Sequence, residues 1–270
     1  MTTPADAVQA FRALHLPGRP LVMPNPWDRG TARLLAWLGF RALATTSSGF
    51  AGTLGRLDGS VSRREALDHA ASIVAAVDVP VSADLEDGFA AEPAGVFDTV
   101  AAAAGLGLAG CSIEDFTRDS TAPIYDLGRA VDRVTAAVEA ARTGSGLVLT
   151  ARAENFLHGR RDLADTIARL QAYQEAGADV LYAPGLISIE DVRRLVASVD
   201  RPVNVLAVAQ GPTVGDLAEA GVARVSLGGA LSFAALGALA RAGRELLEQG
   251  TYGFSELAAE GRRAAAASFR

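Results

Sequence analysis

The sequence contains no lysine, and all 25 of its basic residues are arginine. A Schiff base requires a lysine amine, so the covalent route by which barrel aldolases usually activate a keto acid is excluded. If this chain forms a carbanion or an enolate, a metal ion or fixed hydrogen-bond donors must stabilise it.

Cysteine and histidine are also scarce. Cys111 is the single cysteine, so neither an intrachain disulfide nor a thiolate metal cluster can form. Its apolar neighbours favour a small core residue over a nucleophile. Of the three histidines, we expect His15 and His69 at the surface, in or beside predicted helices, whereas His158 follows the fifth predicted strand.

Long apolar runs and basic clusters are missing too. No run approaches the roughly 18 residues of a membrane span, and residues 1–6 show no charged segment followed by an apolar one. The net charge is -6 and the arginines are scattered, which leaves no electrostatic footprint for nucleic acid or an anionic membrane. We therefore expect a cytoplasmic protein that binds neither nucleic acid nor membrane.

The sequence does contain a regular alternation of short apolar strands and helices. Its 270 residues, 50% of them hydrophobic, are enough for one large core. The predicted strands cover residues 19–25, 41–46, 79–83, 110–113, 147–151, 180–183, 203–208 and 223–227. Eight strands alternating with eight helices predict an α/β fold, a (β/α)₈ TIM barrel over residues 1–250, with an open doubly wound sheet as the alternative.

Carboxylates end two neighbouring strands of this predicted barrel. Residues 80–89 run from apolar positions into three acids and a glycine, and residues 110–115 end in an acid pair. Because the C-terminal strand ends of a barrel share one rim, Asp84, Glu86 and Glu114 should lie together; for the first stretch alone, an acidic turn is the alternative. Oxygen ligands without histidine or cysteine favour Mg²⁺, with Mn²⁺ as the second choice.

The other strand ends deliver further polar groups to the same rim. They are Asn25, Trp27 and Asp28; Ser47, Ser48 and Gly49; Arg152, Glu154 and Asn155; Tyr182; Asn204; Ser226, Gly228 and Gly229. The small residues at 45–50 are typical of a loop that presents backbone N–H groups to an anion, although a plain turn would look the same. Residues 51–60 are too glycine-rich for a helix or strand and long enough to form a lid that carries Asp58.

Five motifs carry a resemblance to a known family. They are Thr45-Thr46-Ser47-Ser48-Gly49, the distal Asp58, Ala83-Asp84-x-Glu86-x-Gly88-Phe89, Ser112-Ile113-Glu114-Asp115 and Thr150-Ala151-Arg152. In this order and at barrel spacing, they resemble the signatures of the isocitrate lyase/phosphoenolpyruvate mutase superfamily over nearly the whole chain. The resemblance implies a (β/α)₈ barrel, a Mg²⁺ ion, a small 2-oxo or 2-hydroxy carboxylate substrate, and homodimers or homotetramers that often exchange a C-terminal helix.

Site residues follow from the same motifs. The resemblance implies that Asp84 ligates Mg²⁺ directly or through water, with Glu86 and Glu114 beside it. It also implies that Ser47, Ser48 and Gly49 hold the carboxylate or phosphonate of the substrate, while Arg152 faces the oxyanion. Trp27 and Asn204 complete the expected substrate contacts. Asp58 is the candidate mobile acid or base, with Arg152 and Glu114 as the other catalytic candidates.

Two departures from the family pattern limit the reaction. The loop at 116–125 has neither the K-K-C-G-H segment of the lyases, whose cysteine is the general acid, nor the lysine and asparagine of the phosphonate enzymes. Glu86 also stands where many relatives have Asp. The P-N-x-W-D motif at 24–28 resembles a poorly characterised branch of the superfamily.

The sequence therefore predicts a Mg²⁺-dependent lyase or decarboxylase that acts on an oxaloacetate-like or methylisocitrate-like substrate through a metal-stabilised enolate. One alternative is a phosphonate-type mutase or hydrolase, with a substrate like carboxyvinyl-carboxyphosphonate or phosphonopyruvate. The other is a protein that binds α-keto acids without turning them over. The alanine-rich residues 251–270 are predicted to form an additional helix, either packed on its own barrel or exchanged between subunits.

Overall fold

The computed structural model describes residues 3–144 and 146–269. Met1, where the predicted barrel at 1–250 begins, and Arg270, where the predicted tail at 251–270 ends, lie outside the described residues. The strands are β1 (Leu21–Met23), β2 (Leu43–Ala44), β3 (Val81–Asp84), β4 (Gly110–Glu114), β5 (Val148–Arg152), β6 (Val180–Tyr182), β7 (Val203–Leu206) and β8 (Arg224–Ser226). Each overlaps a predicted strand, and most are shorter than predicted.

The eight strands form one parallel sheet in the order β1-β8-β7-β6-β5-β4-β3-β2. Between β2 and β1 the Ala44 N–H donates to the Pro24 carbonyl at 3.1 Å, and the Asn25 amide donates to the Thr45 carbonyl at 3.1 Å. These bonds bring the first and last members of the order together into a nearly closed barrel. The predicted (β/α)₈ fold is confirmed, and the open doubly wound sheet is excluded because the strand order never reverses.

The described residues form eleven helices. They are α1 (Pro4–Ala13), α2 (Arg29–Trp37), α3 (Ser47–Thr53), α4 (Arg63–Val74), α5 (Pro93–Ala104), α6 (Leu127–Ala141), α7 (Leu163–Glu175), α8 (Ile189–Val196), α9 (Val214–Glu219), α10 (Ala230–Glu248) and α11 (Ser255–Ser268). Side chains cap many of them; for α4, Ser62 and Glu65 form a reciprocal capping box. Within the described residues, no helix is long and apolar enough to cross a membrane.

Helix α3 corrects two of the sequence predictions. Residues 45–50 were expected to form a loop and residues 51–60 no helix, but Ser47–Thr53 is helical, and the Thr46 hydroxyl caps it by accepting from the Gly49 N–H at 3.4 Å. Ala51 is fully buried on this helix. The low helix propensity of glycine is overridden by the cap and by this packing.

Two histidines are buried rather than exposed, which contradicts the prediction for both. His15 follows α1 at the base of the barrel and is 7% exposed. His69 lies on the inward face of α4, 8% exposed, where its ring stacks on Phe50 with centroids 3.9 Å apart. Both side chains point inward because their helices pack those faces on the barrel. Cys111 is fully buried in β4, as expected for a core residue.

At the base of the barrel, Asp179 joins three elements. Its carboxylate accepts from the guanidinium of Arg12, from Arg142 at 2.9 Å and from the Leu149 N–H at 2.9 Å. Burial alone would raise the pKa of Asp179, but the hydrogen bonds from Arg142, Arg12 and Leu149 outweigh it, and the pKa lies below its ordinary value. The ionised carboxylate therefore stabilises the fold.

Replacing Asp179 with asparagine should lower the free energy of unfolding at pH 7 by about 1–3 kcal/mol, the usual cost of losing hydrogen bonds to a charged group. Because the folded pKa is depressed, the contribution is complete above the unfolded pKa and is lost as pH falls through the folded one. Urea unfolding of both proteins at several pH values measures this. A stability difference that failed to shrink in acid would show that the charge of Asp179 is not what stabilises the base.

The C-terminal helix α11 lies against α2 of the same chain. The Phe269 ring approaches Gly30 so closely that a Cβ there would lie 3.3 Å from it, and Arg33 donates to the Phe269 carbonyl at 3.4 Å. No described residue of α11 is buried. The C-terminal end of α11 thus contacts α2 through both the side chain and the carbonyl of Phe269.

Candidate active site

A cavity of about 210 Å³ opens at the C-terminal ends of the strands and continues into the barrel. Six residues predicted for the site line it: Ser47, Ser48, Asp58, Asp84, Arg152 and Asn204. Four do not line it: Trp27, Gly49, Glu86 and Glu114. Many of the side chains that line it are small or polar, among them Ser82, Ser112 and Ser226, so the cavity suits a polar ligand.

Arg152, at the end of β5, is the centre of this site. Its side chain is 16% exposed and forms ion pairs with Asp84 at 3.1 Å, Glu114 at 3.1 Å and Glu154 at 2.8 Å. Parallel pairing places the Arg152 Cα opposite Glu114 of β4 and Tyr182 of β6. The barrel register therefore delivers the arginine into a ring of carboxylates contributed by β3, β4 and its own loop.

The acids around Arg152 outnumber the positive charges that they share. Burial raises the pKa of Glu114 well above its usual value, although Arg152 opposes the shift, and Glu154 and Asp84 add to it. Burial likewise raises the pKa of Glu154 against the effect of Arg152. Burial would lower the pKa of Arg152, but Glu154, Glu114 and Asp84 together raise it well above its ordinary value. The guanidinium therefore stays charged, and the site favours an additional cation.

Glu86 lies just behind Asp84 and is held by Arg118. Burial and the nearby Asp84 raise the pKa of Glu86 to about 7, while Arg118 opposes this. Arg118 donates to Glu86 at 3.0 Å, to Asp87 at 2.8 Å and to the Gly59 carbonyl at 3.0 Å. It thereby ties the loop after β4 to the acids that follow β3 and to the loop that carries Asp58.

Backbone strain is concentrated at this contact. Glu86, Phe89 and Arg118 have φ angles of 49°, 55° and 64°, in the left-handed region that non-glycine residues rarely adopt. The Arg118 guanidinium also lies 5.5 Å from the centre of the Phe89 ring. Such backbone conformations cost free energy and persist only where the surrounding contacts hold the residue in place. They cluster at functional sites.

The first turn of α3 forms one wall of the cavity. The Ser47 N–H donates to the Asp84 carboxylate at 3.2 Å, and the Ser48 hydroxyl lies 3.1 Å from that of Thr46. Gly229, which caps α10, approaches so closely that a Cβ there would lie 2.6 Å from the Ser48 oxygen. Two helix N-termini therefore meet at this wall, where their dipoles favour an anion.

Trp27 and Gly49 lie in a separate groove between α3 and α10. Their neighbours there include Thr53, Leu236 and Leu239. The Trp27 carbonyl lies 3.1 Å from Nε2 of His69, so Trp27 supports α3 from behind. Its predicted contact with the substrate stays a prediction.

The donor set fits a hard cation that keeps part of its water. Among the residues that the structure describes, no three His, Cys, Asp or Glu side chains are arranged to hold a metal ion by themselves, because Arg152 stands between Asp84 and Glu114. Mg²⁺ typically binds through one or two carboxylates and retains several waters instead of filling a protein cage. Asp84, which lines the cavity, suits this role, with Glu86 and Glu114 behind it.

Sequence reasoning missed several contributors to the site. Arg118 lies in the loop at 116–125, which has neither of the family motifs expected there, so the resemblance did not identify it. Glu154 and Tyr182 were placed at the rim without a role, although the Tyr182 ring lies 5.3 Å from the Arg152 guanidinium. Arg224 lines the inner end of the cavity, and the period-two alternation of β8, two residues before Ser226, could have found it.

Comparison with known proteins identifies the family. The phosphoenolpyruvate phosphomutase family model matches residues 11–247. The chain therefore belongs to this family and, with it, to the isocitrate lyase/phosphoenolpyruvate mutase superfamily, as the motifs indicated. It is an enzyme of a superfamily whose members are lyases and mutases.

Three curated relatives span most of the chain. An uncharacterised protein of Mycobacterium tuberculosis is 35% identical over 236 residues, covering 87% of this chain and 88% of its own. A 2-methylisocitrate lyase of Escherichia coli is 30% identical over 204 residues, with coverages of 72% and 68%. An oxaloacetate decarboxylase of Pseudomonas entomophila is 30% identical over 250 residues, with coverages of 84% and 80%.

Solved structures are similar along nearly the full length. A Burkholderia cenocepacia protein assigned provisionally to the lyases or mutases superposes with a TM-score of 0.92 at 51% identity, covering 97% of this chain and 95% of its own. An oxaloacetate acetylhydrolase in complex with its product oxalate gives a TM-score of 0.83 at 26% identity, with coverages of 93% and 90%.

Proposed function

We propose that this enzyme is a divalent-metal-dependent lyase or decarboxylase that cleaves a carbon–carbon bond of a small 2-oxo or 2-hydroxy carboxylate through an enolate. The observation that carries the proposal is Arg152, nearly buried at the cavity and surrounded by Asp84, Glu114 and Glu154. A fixed guanidinium in a poorly hydrated site stabilises an enolate oxygen more strongly than a neutral ketone, so it lowers the barrier to bond cleavage.

The remaining groups divide the work of binding and proton transfer. Ser47 and Ser48 at the α3 N-terminus would hold a substrate carboxylate, where the helix dipole favours negative charge. Asp58 lines the cavity from its loop and is our candidate mobile acid or base. A Mg²⁺ ion bound at Asp84 would supply a Lewis acid for the carbonyl oxygen.

Among the candidate substrates, an oxaloacetate-like or methylisocitrate-like acid is favoured over a phosphonate. The loop at 116–125 has neither lysine nor asparagine, and Arg118 in that loop is engaged with Glu86 and Asp87. The named oxaloacetate and methylisocitrate enzymes among the relatives support the same choice. The phosphonate-type mutase or hydrolase is the alternative reaction.

Product assays separate these reactions. Pyruvate release should be measured with oxaloacetate, methylisocitrate and phosphonopyruvate in the presence of Mg²⁺, and we expect it from one of the first two. Release from phosphonopyruvate alone would favour phosphonate chemistry. A protein that binds metal yet turns over none of the three would contradict the proposal.

A non-catalytic role in binding α-keto acids is the second candidate function. It is motivated by the absence of the lyase general acid from the loop at 116–125, while Arg152 and the α3 N-terminus remain in place. Mg²⁺-dependent binding of oxalate or α-ketoglutarate in calorimetry, with an unchanged ligand spectrum after long incubation, would favour this function over the enzyme.

We also propose that the chain assembles as a homodimer or homotetramer through its C-terminal region. Large apolar side chains are exposed there: Phe233, Leu236, Leu239, Leu247, Tyr252 and Leu257. Helix α11 has no buried residue among those described, and an alanine-rich helix of this length is marginal in water without a partner surface.

Deleting residues 251–270 should therefore give smaller species in light scattering. The barrel itself should stay folded, because no described residue of α11 is buried, and circular dichroism with thermal melting provides that control. An unchanged mass would show that the tail does not join the subunits.

A further inference from the structure

Arg224 is a buried arginine at the inner end of the active-site cavity. It lies on β8, is 3% exposed, and lines the cavity below the rim. Its guanidinium lies 3.0 Å from the Asn204 amide oxygen, 3.0 Å from the Thr150 hydroxyl and 3.2 Å from Nε2 of His15. A cation is thus placed inside the barrel among side chains that carry no negative charge.

His15 does not change this balance. Its Nδ1 lies 2.9 Å from the Phe11 carbonyl, which can only accept, so Nδ1 carries the hydrogen and Nε2 accepts from Arg224. Burial, with Arg224 nearby, lowers the pKa of His15 to about 3. The histidine is therefore a neutral acceptor at physiological pH.

No carboxylate of the described residues forms an ion pair with Arg224. The acids at the rim are engaged with Arg152, which is itself a like charge near Arg224. Burial lowers the pKa of Arg224 to about 10, with Tyr182 opposing the shift and Arg152 adding to it, so Arg224 is still charged at neutral pH. An uncompensated buried charge is costly, which makes an anionic ligand the natural partner.

The number of hydrogen bonds that Arg224 forms also indicates an additional ligand. A guanidinium has five N–H donors, and three are accounted for by Asn204, Thr150 and His15. Arg133 is a useful contrast: it is also buried, but it donates to the backbone carbonyls at 87, 90 and 91 and does not line this cavity. Both arginines therefore have donors left over, and the Arg133 Nε has no partner, but of the two only Arg224 lines the active-site cavity.

We propose that Arg224 binds a second carboxylate of the substrate, so that the enzyme selects dicarboxylates over monocarboxylates. One carboxylate lies at the rim, between Arg152 and the α3 N-terminus, and the other descends to Arg224. The identity of the ligand as a substrate rests on the proposed function, but the binding of the second carboxylate does not require turnover.

Malate and lactate form a matched pair for the test, since they are 2-hydroxy acids that differ by the distal carboxylate. With the full-length protein and Mg²⁺, calorimetry should show malate bound at least about tenfold more tightly than lactate, as expected for a charge-assisted contact. Arg224→Gln should weaken malate by about 10- to 100-fold and leave lactate unchanged. Arg224→Lys keeps the positive charge but not the planar, forked set of donors, so it should retain part of the preference for malate over lactate.

Equal affinities for malate and lactate in the wild-type protein would overturn the proposal without any variant. So would a folded Arg224→Gln protein that binds both acids as the wild type does, or one that weakens both equally, because Arg224 would then only tie α1 to the barrel. Turnover is a separate readout: a malate preference without turnover of any substrate keeps the anion subsite and rejects the proposed reaction. Turnover of oxaloacetate without a preference for malate over lactate keeps the proposed reaction and rejects the anion subsite.

Discussion

Replacing Asp84 with alanine should weaken Mg²⁺ binding by more than about 100-fold, because second-shell partners alone typically contribute 10- to 100-fold. Turnover should be lost with it. The Asp84 carboxylate accepts from the Ser47 N–H at 3.2 Å and from Arg152 at 3.1 Å, so its removal also releases a wall of the cavity and the side chain of Arg152. Titration calorimetry with Mg²⁺ measures the first effect, and pyruvate release measures the second.

The barrel should nevertheless fold in this variant. Asp84 is a like charge that helps to raise the pKa of Glu86, so the loss of its carboxylate relieves repulsion while it removes hydrogen bonds. Asp84→Asn keeps the side-chain volume and separates the effect of charge from that of shape. Asp179→Asn removes a carboxylate at the opposite end of the barrel and should leave the affinity for Mg²⁺ unchanged. Wild-type metal affinity in Asp84→Ala would mean that Asp84 is only a structural acid.

The strands were predictable because each is a short apolar run ending in polar residues. Parallel pairing then places Asp84, Glu114 and Arg152 at one rim, whatever the local details. The sequence shows that the acids end their strands, and the barrel fold implies that such strand ends share one rim. The register of the strands became known only from the structure. The family motifs mark the same residues, so the two arguments agree on the central part of the site.

Other parts of the site depend on contacts that no local pattern encodes. Helix α3 forms because Thr46 caps it and Ala51 packs inside, although its glycines argue against a helix. Arg118 reaches the β3 acids from a loop whose residues match no motif. The buried His15 contacts Arg224, which lies on a strand distant in sequence. Each case is a long-range contact that overrides local propensity.

Arg152→Lys should lower kcat by about 10²- to 10³-fold, the usual cost of removing one donor to a developing oxyanion. An ammonium is a point charge and cannot reach three carboxylates in fixed geometry as the planar guanidinium does. It would shift toward Glu154, the nearest partner of Arg152 at 2.8 Å, and leave the substrate oxygen without its donor. The measurement uses whichever substrate is turned over.

Mg²⁺ binding separates this variant from Asp84→Ala. Because Arg152→Lys keeps both the positive charge and the Asp84 carboxylate, the affinity for Mg²⁺ should fall far less than kcat. Arg64→Lys is the matched control, since the Arg64 side chain is 91% exposed on α4 and the change should leave kcat as in the wild type. Oxalate binding gives a second readout, because oxalate resembles the enolate and should be weakened in Arg152→Lys. Wild-type kcat and oxalate affinity in that variant would show that the guanidinium only neutralises the surrounding acids, and Tyr182, beneath it in the cavity, would become the next donor to examine.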